Sequence, residues 1–141
     1  MRLTSDKSLC EIRQKIILSK DKGSPRKHCA QNPAQKFCVR QYKLDGDLVR
    51  QQTCCDFLLT NDTLKKAYFI ELKGGNVDRA VPQLEAGFRL FQAELSGYEF
   101  LFRIVSSKVR THDIQNNKFR KFKDKWGSRL ICKTDYLEET L

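Results

Sequence analysis

Residues 67–75 read Ala67-Tyr68-Phe69-Ile70-Glu71-Leu72-Lys73-Gly74-Gly75, an apolar run that ends in an acid, a base and two glycines. Side chains alternate along a strand, so Ala67, Phe69, Glu71 and Lys73 share one face while Tyr68, Ile70 and Leu72 share the other. A run that is apolar on both faces predicts a strand covered on both sides. Glu71 and Lys73 then stand at the lip of a core, where a desolvated charge needs a partner, a metal or a ligand.

Beyond Gly74-Gly75 the apolar period lengthens to that of a helix. Val77, Val81, Leu84, Phe88, Phe91 and Leu95 fall on one stripe, and Pro82 is expected near the first turn, where a missing N–H costs least. This helix is expected to end near Ser96-Gly97, with a long strand from Tyr98 to Val109 after it. Residues 115–126 predict a basic amphipathic helix, and Arg129 to Lys133 a short strand. Upstream, residues 6–20 predict a first amphipathic helix, with Leu9, Ile12, Ile16 and Ile17 at helical spacing and Ser5 or Asp6 as its cap. Residues 22–36, KGSPRKHCAQNPAQK, predict a long loop. Phe37 to Leu44 and Leu48 to Thr53 read as strands around an Asp45-Gly46 turn, and Cys54 to Leu59 continues the second of them before the turn at Thr60-Asn61-Asp62-Thr63.

The expected fold class is α/β or mixed α+β. One mixed sheet, in helix, strand, strand, strand, helix, strand order, would be flanked by helices, with a basic helix near the C-terminus. The 141 residues are expected to form a single domain.

Lys and Arg total 27 against 17 Asp and Glu, a net charge of +10. That excess points to a polyanionic partner, with nucleic acid ahead of an anionic membrane surface. No apolar run approaches the roughly 18 residues of a membrane span. The start, MRLTSDKSLCEIRQK, lacks the apolar core of a signal peptide, so a cytoplasmic location is expected. The six cysteines, Cys10, Cys29, Cys38, Cys54, Cys55 and Cys132, form no CxxC pair. With only His28 and His112 to complete a zinc site, they read as reduced thiols.

Register supplies a third residue for the lip. An antiparallel pairing of the strands that hold Asp56 and Glu71, turning between Thr63 and Leu64, sets Leu58 against Phe69 and Asp56 against Glu71, with Cβ atoms about 5 Å apart. Two carboxylates that close are unfavourable in a dry site, so a divalent cation is the natural third party. Oxygen-only ligands favour Mg²⁺ or Mn²⁺.

Asp56, then Glu71-Leu72-Lys73 at the end of the next strand, then a glycine turn and an amphipathic helix, resembles the core of the PD-(D/E)xK nuclease superfamily, whose fold is restriction endonuclease-like and whose members include Holliday junction resolvases. The residue before the aspartate is Cys55, where the family name has proline. The resemblance implies metal-dependent hydrolysis of phosphodiesters in DNA, ahead of RNA. It implies that Asp56, Glu71 and the backbone carbonyl of Leu72 hold Mg²⁺ or Mn²⁺, and that Lys73 orients or helps deprotonate the attacking water. Glu11 resembles an acid that some resolvases contribute from the first helix, with Asp6 as its rival. Gln83 resembles a glutamine of the exonuclease branch, although the tyrosine that follows it there is Gly87 in this chain.

The basic segments add a possible nucleic-acid surface. In NNKFRKFKDKWGSR, Phe119, Phe122 and Trp126 read as core, while Lys118, Lys121 and Lys125 form a second stripe joined by Arg120. These cations, with Lys27 of the long loop, are candidates for phosphate contacts, and a solvated charged face is the competing reading. Without a base-reading motif, recognition of backbone or shape is expected over sequence. A domain of this length leaves little room for separate recognition, which makes a homodimer or a partner subunit an expectation as well.

Overall fold

The computed structural model describes residues 1–75, 77–108 and 116–141. In chain order the strands are β1 (Ile16–Lys20), β2 (Lys27–Gln31), β3 (Val39–Lys43), β4 (Phe57–Asn61), β5 (Lys66–Lys73), β6 (Glu99–Ser106), β7 (Leu130–Thr134) and β8 (Tyr136–Thr140). Helix α1 (Val77–Phe91) lies between β5 and β6, and α2 (Asn117–Trp126) precedes β7. Residue 109 of the expected fourth strand, and residue 115 at the start of the expected basic helix, lie outside the described residues.

The run at 67–73 becomes the middle strand of a five-stranded mixed sheet ordered β3-β4-β5-β6-β7. β4 pairs antiparallel with β3 and β5, whereas β5, β6 and β7 run parallel. Phe57 pairs with Ile70 and Leu58 with Phe69, the register expected from the sequence. A second mixed sheet, ordered β1-β2-β8, covers one face of the first. The protein is therefore mixed α+β, with two sheets and, among the described residues, both helices on a single face.

Each face of β5 buries a separate core. Phe69 points toward the helices, stacks on Phe102 at 5.7 Å between ring centroids, and shares that core with Val81 and Leu84 of α1 and Phe119 and Phe122 of α2. Phe102 in turn meets Trp126 at 4.6 Å. Tyr68, Ile70 and Leu72 point the other way, onto Ile17, Ala30 and Leu137 of the smaller sheet. Full burial of such side chains stabilises by about 1.5–3 kcal/mol each, so the double covering fixes the register of β5 firmly. The two sheets are also tied by an ion pair across their interface. Arg103 of β6 donates two hydrogen bonds to Glu139 of β8, at 2.7 and 3.0 Å, and His28 lies 2.7 Å from the same carboxylate. Burial pushes the Glu139 carboxyl up, but the bonds from His28 and Arg103 outweigh it and hold the group down near 2.

Several expectations fail, each for a local reason. The first helix, expected at 6–20, is not formed. A single 3-10 turn at Ser5–Lys7 is followed by irregular chain and then β1. The residues thought to line its apolar stripe are exposed, Leu9 by 57%, Ile12 by 70% and Ile16 by 50%. Ile17 and Ser19 instead point inward at strand spacing, as suits β-branched neighbours. The expected loop at 22–36 contains β2, whose sequence KHCAQ carries no apolar signature. The Asp45-Gly46 turn does form, with Gly46 at φ +82°, yet the polar Arg50-Gln51-Gln52-Thr53 beyond it are not a strand, and β3 pairs with β4. Pro82 stands in the second turn of α1 rather than the first, so its ring removes one ladder bond, that to the carbonyl of Asp78. Among the described residues, no helix is long and apolar enough to cross a membrane.

Helix α1 seats on the sheet through Gly87. A Cβ at this position would stand 2.7 Å from Cys55 Sγ and 3.2 Å from a ring carbon of Phe69. The tyrosine of the exonuclease branch therefore has no room here. Gly87→Ala is expected to lose about 1–3 kcal/mol through overpacking, lowering Tm by roughly 3–10 °C in thermal unfolding followed by circular dichroism. In Gly87→Ala/Cys55→Ala the loss should be smaller than the sum of the two single losses, because the second change opens the space the first needs.

Candidate functional site

The β4/β5 ladder ends at Phe57 and Ile70, and two carboxylates take over its next rungs. The backbone N–H of Asp56 donates to Glu71 Oε1 at 3.2 Å, while the N–H of Leu72 donates to Asp56 Oδ2 at 2.9 Å. This exchange satisfies two amides that the end of β4 leaves without partners. It also holds the two acids against each other at the carboxyl end of the central strand. Asp56 is 8% exposed and Glu71 only 2%. Within a strand residue, amide and carbonyl point toward the same neighbour. The Leu72 carbonyl accordingly opens to the edge its N–H uses, the side of Asp56.

The remaining oxygens face ammonium groups. Lys73 Nζ lies 3.6 Å from Glu71 Oε2, and Lys43 Nζ lies 3.4 Å from Asp56 Oδ1. Both separations exceed those of direct charge-assisted hydrogen bonds, which run at about 2.7–2.9 Å. Lys43 also stands 3.5 Å from Asp21 Oδ1, at the hairpin between β1 and β2, so one amine bridges the acids of both sheets. Neither Lys43 nor Asp21 was expected from the sequence. Lys43 ends a strand whose pairing partner was misassigned, and Asp21 arrives from the other sheet, a contact with no local signature. Lys43, as the last residue of β3 before the Asp45-Gly46 turn, offered the one usable signal.

Electrostatics distinguish the two acids. Burial pushes the Asp56 carboxyl above its ordinary value, and the N–H of Leu72, followed by Lys43, pulls against the shift. Burial, reinforced by the Asp56 charge, pushes Glu71 much further, to about 9, and Lys73 only partly opposes this. Near neutral pH the metal-free pair therefore holds a proton on Glu71.

The other expected residues divide. Gln83 lies one helical turn before Gly87, which sits on Phe69 and Cys55, so the helix rise brings it to the level of Glu71. Its buried Oε1 has no hydrogen-bond partner among the described residues. Glu11 is not at the site. It is exposed in a segment that runs beside β3, where Leu9 N–H bonds to Gln41 and Val39 N–H bonds to Ile12. That places it toward the end of β4 remote from Asp56. Asp6 lies in the exposed turn at Ser5–Lys7.

Lys118, Lys121 and Lys125 are exposed on α2 and line a groove with Val81, Glu85 and Phe122, while Arg120 is exposed elsewhere on the helix. Lys27 lies at the start of β2, its Nζ 5.4 Å from the Tyr136 ring centroid, on the hairpin that carries Asp21. The exposed Arg2 and Lys20 add to the positive surface without joining the acids.

Among the described residues no group of three or more His, Cys, Asp or Glu is arranged to hold a metal. The acid pair and the Leu72 carbonyl form an all-oxygen set of low protein count. Such a set suits a hard ion that keeps several waters, and Mg²⁺ does so.

The Glu71 shift has a stability consequence. Its folded carboxyl binds a proton more tightly than the unfolded one, so between the ordinary carboxyl range and about pH 9 the folded state holds more protons and stability falls as pH rises. In EDTA, Tm is expected to drop by several degrees from about pH 5 to about pH 9, and Glu71→Gln should flatten this decline. Differential scanning fluorimetry across that range checks it, and an equal decline in both proteins would overturn it.

Comparison with protein families, with curated proteins and with solved structures finds no match to this chain.

Proposed function

We propose that the protein is a metal-dependent nuclease that hydrolyses phosphodiester bonds of DNA, or of RNA, directed by backbone and shape rather than by sequence. The observation that carries this reading is the mutual capture of Asp56 and Glu71 at the end of β5, which sets two buried carboxyls so close that they share one charge, where a divalent cation could take the place of the proton. The succession β4, β5, α1, β6 supports a restriction endonuclease-like core. The first helix of that core is not formed in this chain, where a 3-10 turn and β1 occupy residues 5–20.

Asp56, Glu71 and the Leu72 carbonyl would hold Mg²⁺ or Mn²⁺, which supplies Lewis acidity toward the phosphoryl oxygen and a lowered pKa for bound water. Holding the ion requires that Glu71 give up its proton. Lys73, 3.6 Å from Glu71, then orients the water and offsets charge developing on the phosphoryl oxygens. Lys43 holds Asp56 in place and presents positive charge on the approach side. Gln83, with an unpartnered amide oxygen at the same level, is suited to accept a hydrogen bond from that water.

A second reading is a nucleic-acid-binding module without activity. It is favoured by the +10 charge and the exposed lysine face of α2, which need no chemistry to work.

The two separate on metal. Incubated with single-stranded, duplex, flapped and four-way DNA and with RNA, the protein should cut at least one substrate in Mg²⁺ or Mn²⁺ and none in EDTA. Asp56→Asn, Glu71→Gln and Lys73→Ala should each lower the rate roughly 100-fold or more, with binding in EDTA kept within a few fold. Cleavage that survives Glu71→Gln would sink the hydrolytic reading, and binding without any cleavage would select the second.

A further inference from the structure

A cavity lies not over the acid pair but next to it. It measures about 440 Å³ and is lined by Lys7, Lys43, Asp47, Leu48 and Arg50. Lys43 is already shared between Asp56 and Asp21, so the positive charge offered to a ligand is that of Lys7 and Arg50, set against Asp47. Leu48, half-buried against the helix-side core, gives it an apolar wall. Arg50 is braced from below, its Nε donating to the Asp47 backbone carbonyl at 3.2 Å. The volume falls within the roughly 300–1,000 Å³ of small-ligand sites.

Lys43 belongs to both places. It lines the cavity, and its Nζ lies 3.4 Å from Asp56 Oδ1. An anion in contact with this amine at about 2.8 Å would stand roughly 6 Å from the carboxylate. That is the farthest such an anion could stand, so a strand whose scissile phosphate meets an ion on Asp56 would bring a neighbouring nucleotide into this space.

We propose that this cavity receives the nucleotide adjoining the scissile phosphate, with Lys7 and Arg50 gripping its phosphate. The sugar and base edge lie against Leu48, and the Asp47 carboxylate accepts from a base or sugar donor. The choice of a nucleic-acid strand as occupant rests on the nuclease reading, whereas the anion grip rests on the cavity itself. Lys7 and Arg50 act by positioning, since neither touches the acid pair. They set where along a strand the cut falls.

The test uses the full chain in EDTA and reads fluorescence anisotropy of a short fluorescein-labelled oligothymidylate over a series of salt concentrations. Lys7→Ala/Arg50→Ala should weaken binding at low salt by about tenfold or more and reduce the log–log salt slope by about 0.7, the value for one single-strand phosphate contact. Arg13→Ala/Lys36→Ala removes the same charge from exposed positions at the other end of β3 and should change affinity less than about twofold. Lys7→Arg/Arg50→Lys should restore most of the loss. Equal weakening by the two alanine pairs, or unchanged binding by Lys7→Ala/Arg50→Ala, overturns the proposal. Cleavage of the same strand in Mg²⁺ is followed in parallel. Binding through Lys7 and Arg50 without cleavage retires the hydrolysis and keeps the cavity site, whereas cleavage with binding indifferent to both residues does the reverse.

Discussion

The organisation of this molecule depends on one exchange of hydrogen bonds, in which Asp56 N–H goes to Glu71 and Leu72 N–H goes to Asp56. A sheet that simply ended here would leave backbone donors unpaired in a dry place. A sheet that continued would bury the acids' positions under further strand. Carboxylates used as terminal rungs avoid both outcomes, at the cost of forcing two acids together. The repulsion they suffer is what makes the site chemically interesting. Glu71 keeps its proton up to about 9, and a cation bound by the pair would have to displace it.

The surrounding charges follow from that cost. Lys73 and Lys43 approach the pair from opposite sides at distances too long for strong direct bonds. They lower the local penalty without closing the site. The smaller sheet contributes through Asp21, so the electrostatic balance at Asp56 depends on how the two sheets meet. The Arg103, Glu139 and His28 contact fixes that meeting farther down the interface.

The parts legible from sequence were those specified twice. β5 is apolar on both faces, so a strand is the one element that satisfies both coverings, and its pairing with β4 is fixed because a slip would drive Leu58 off the core. α1 was legible from a long stripe, and Gly87 within it marks where the helix presses on Cys55. The smaller sheet was not legible. β2 buries His28, Cys29 and Ala30 between two polar turns, and β1 shows only Ile17 and Ser19 to the core, patterns too short to separate from loop or helix. Glu11 was assigned to a helix that does not exist, and so to the wrong end of the sheet. Lys43 and Asp21 meet only through tertiary contact, which periodicity does not encode.

The pairing of β2 with β8 sets Lys27 beside Tyr136, bringing an early strand to the last one in the chain. Parallel pairing over so long a separation must meet a large loop-closure entropy before any contact rewards it. Closing the smaller sheet therefore costs more chain entropy than pairing β3, β4 and β5, and the setting of Asp21 beside Lys43 draws on strands far apart in the chain.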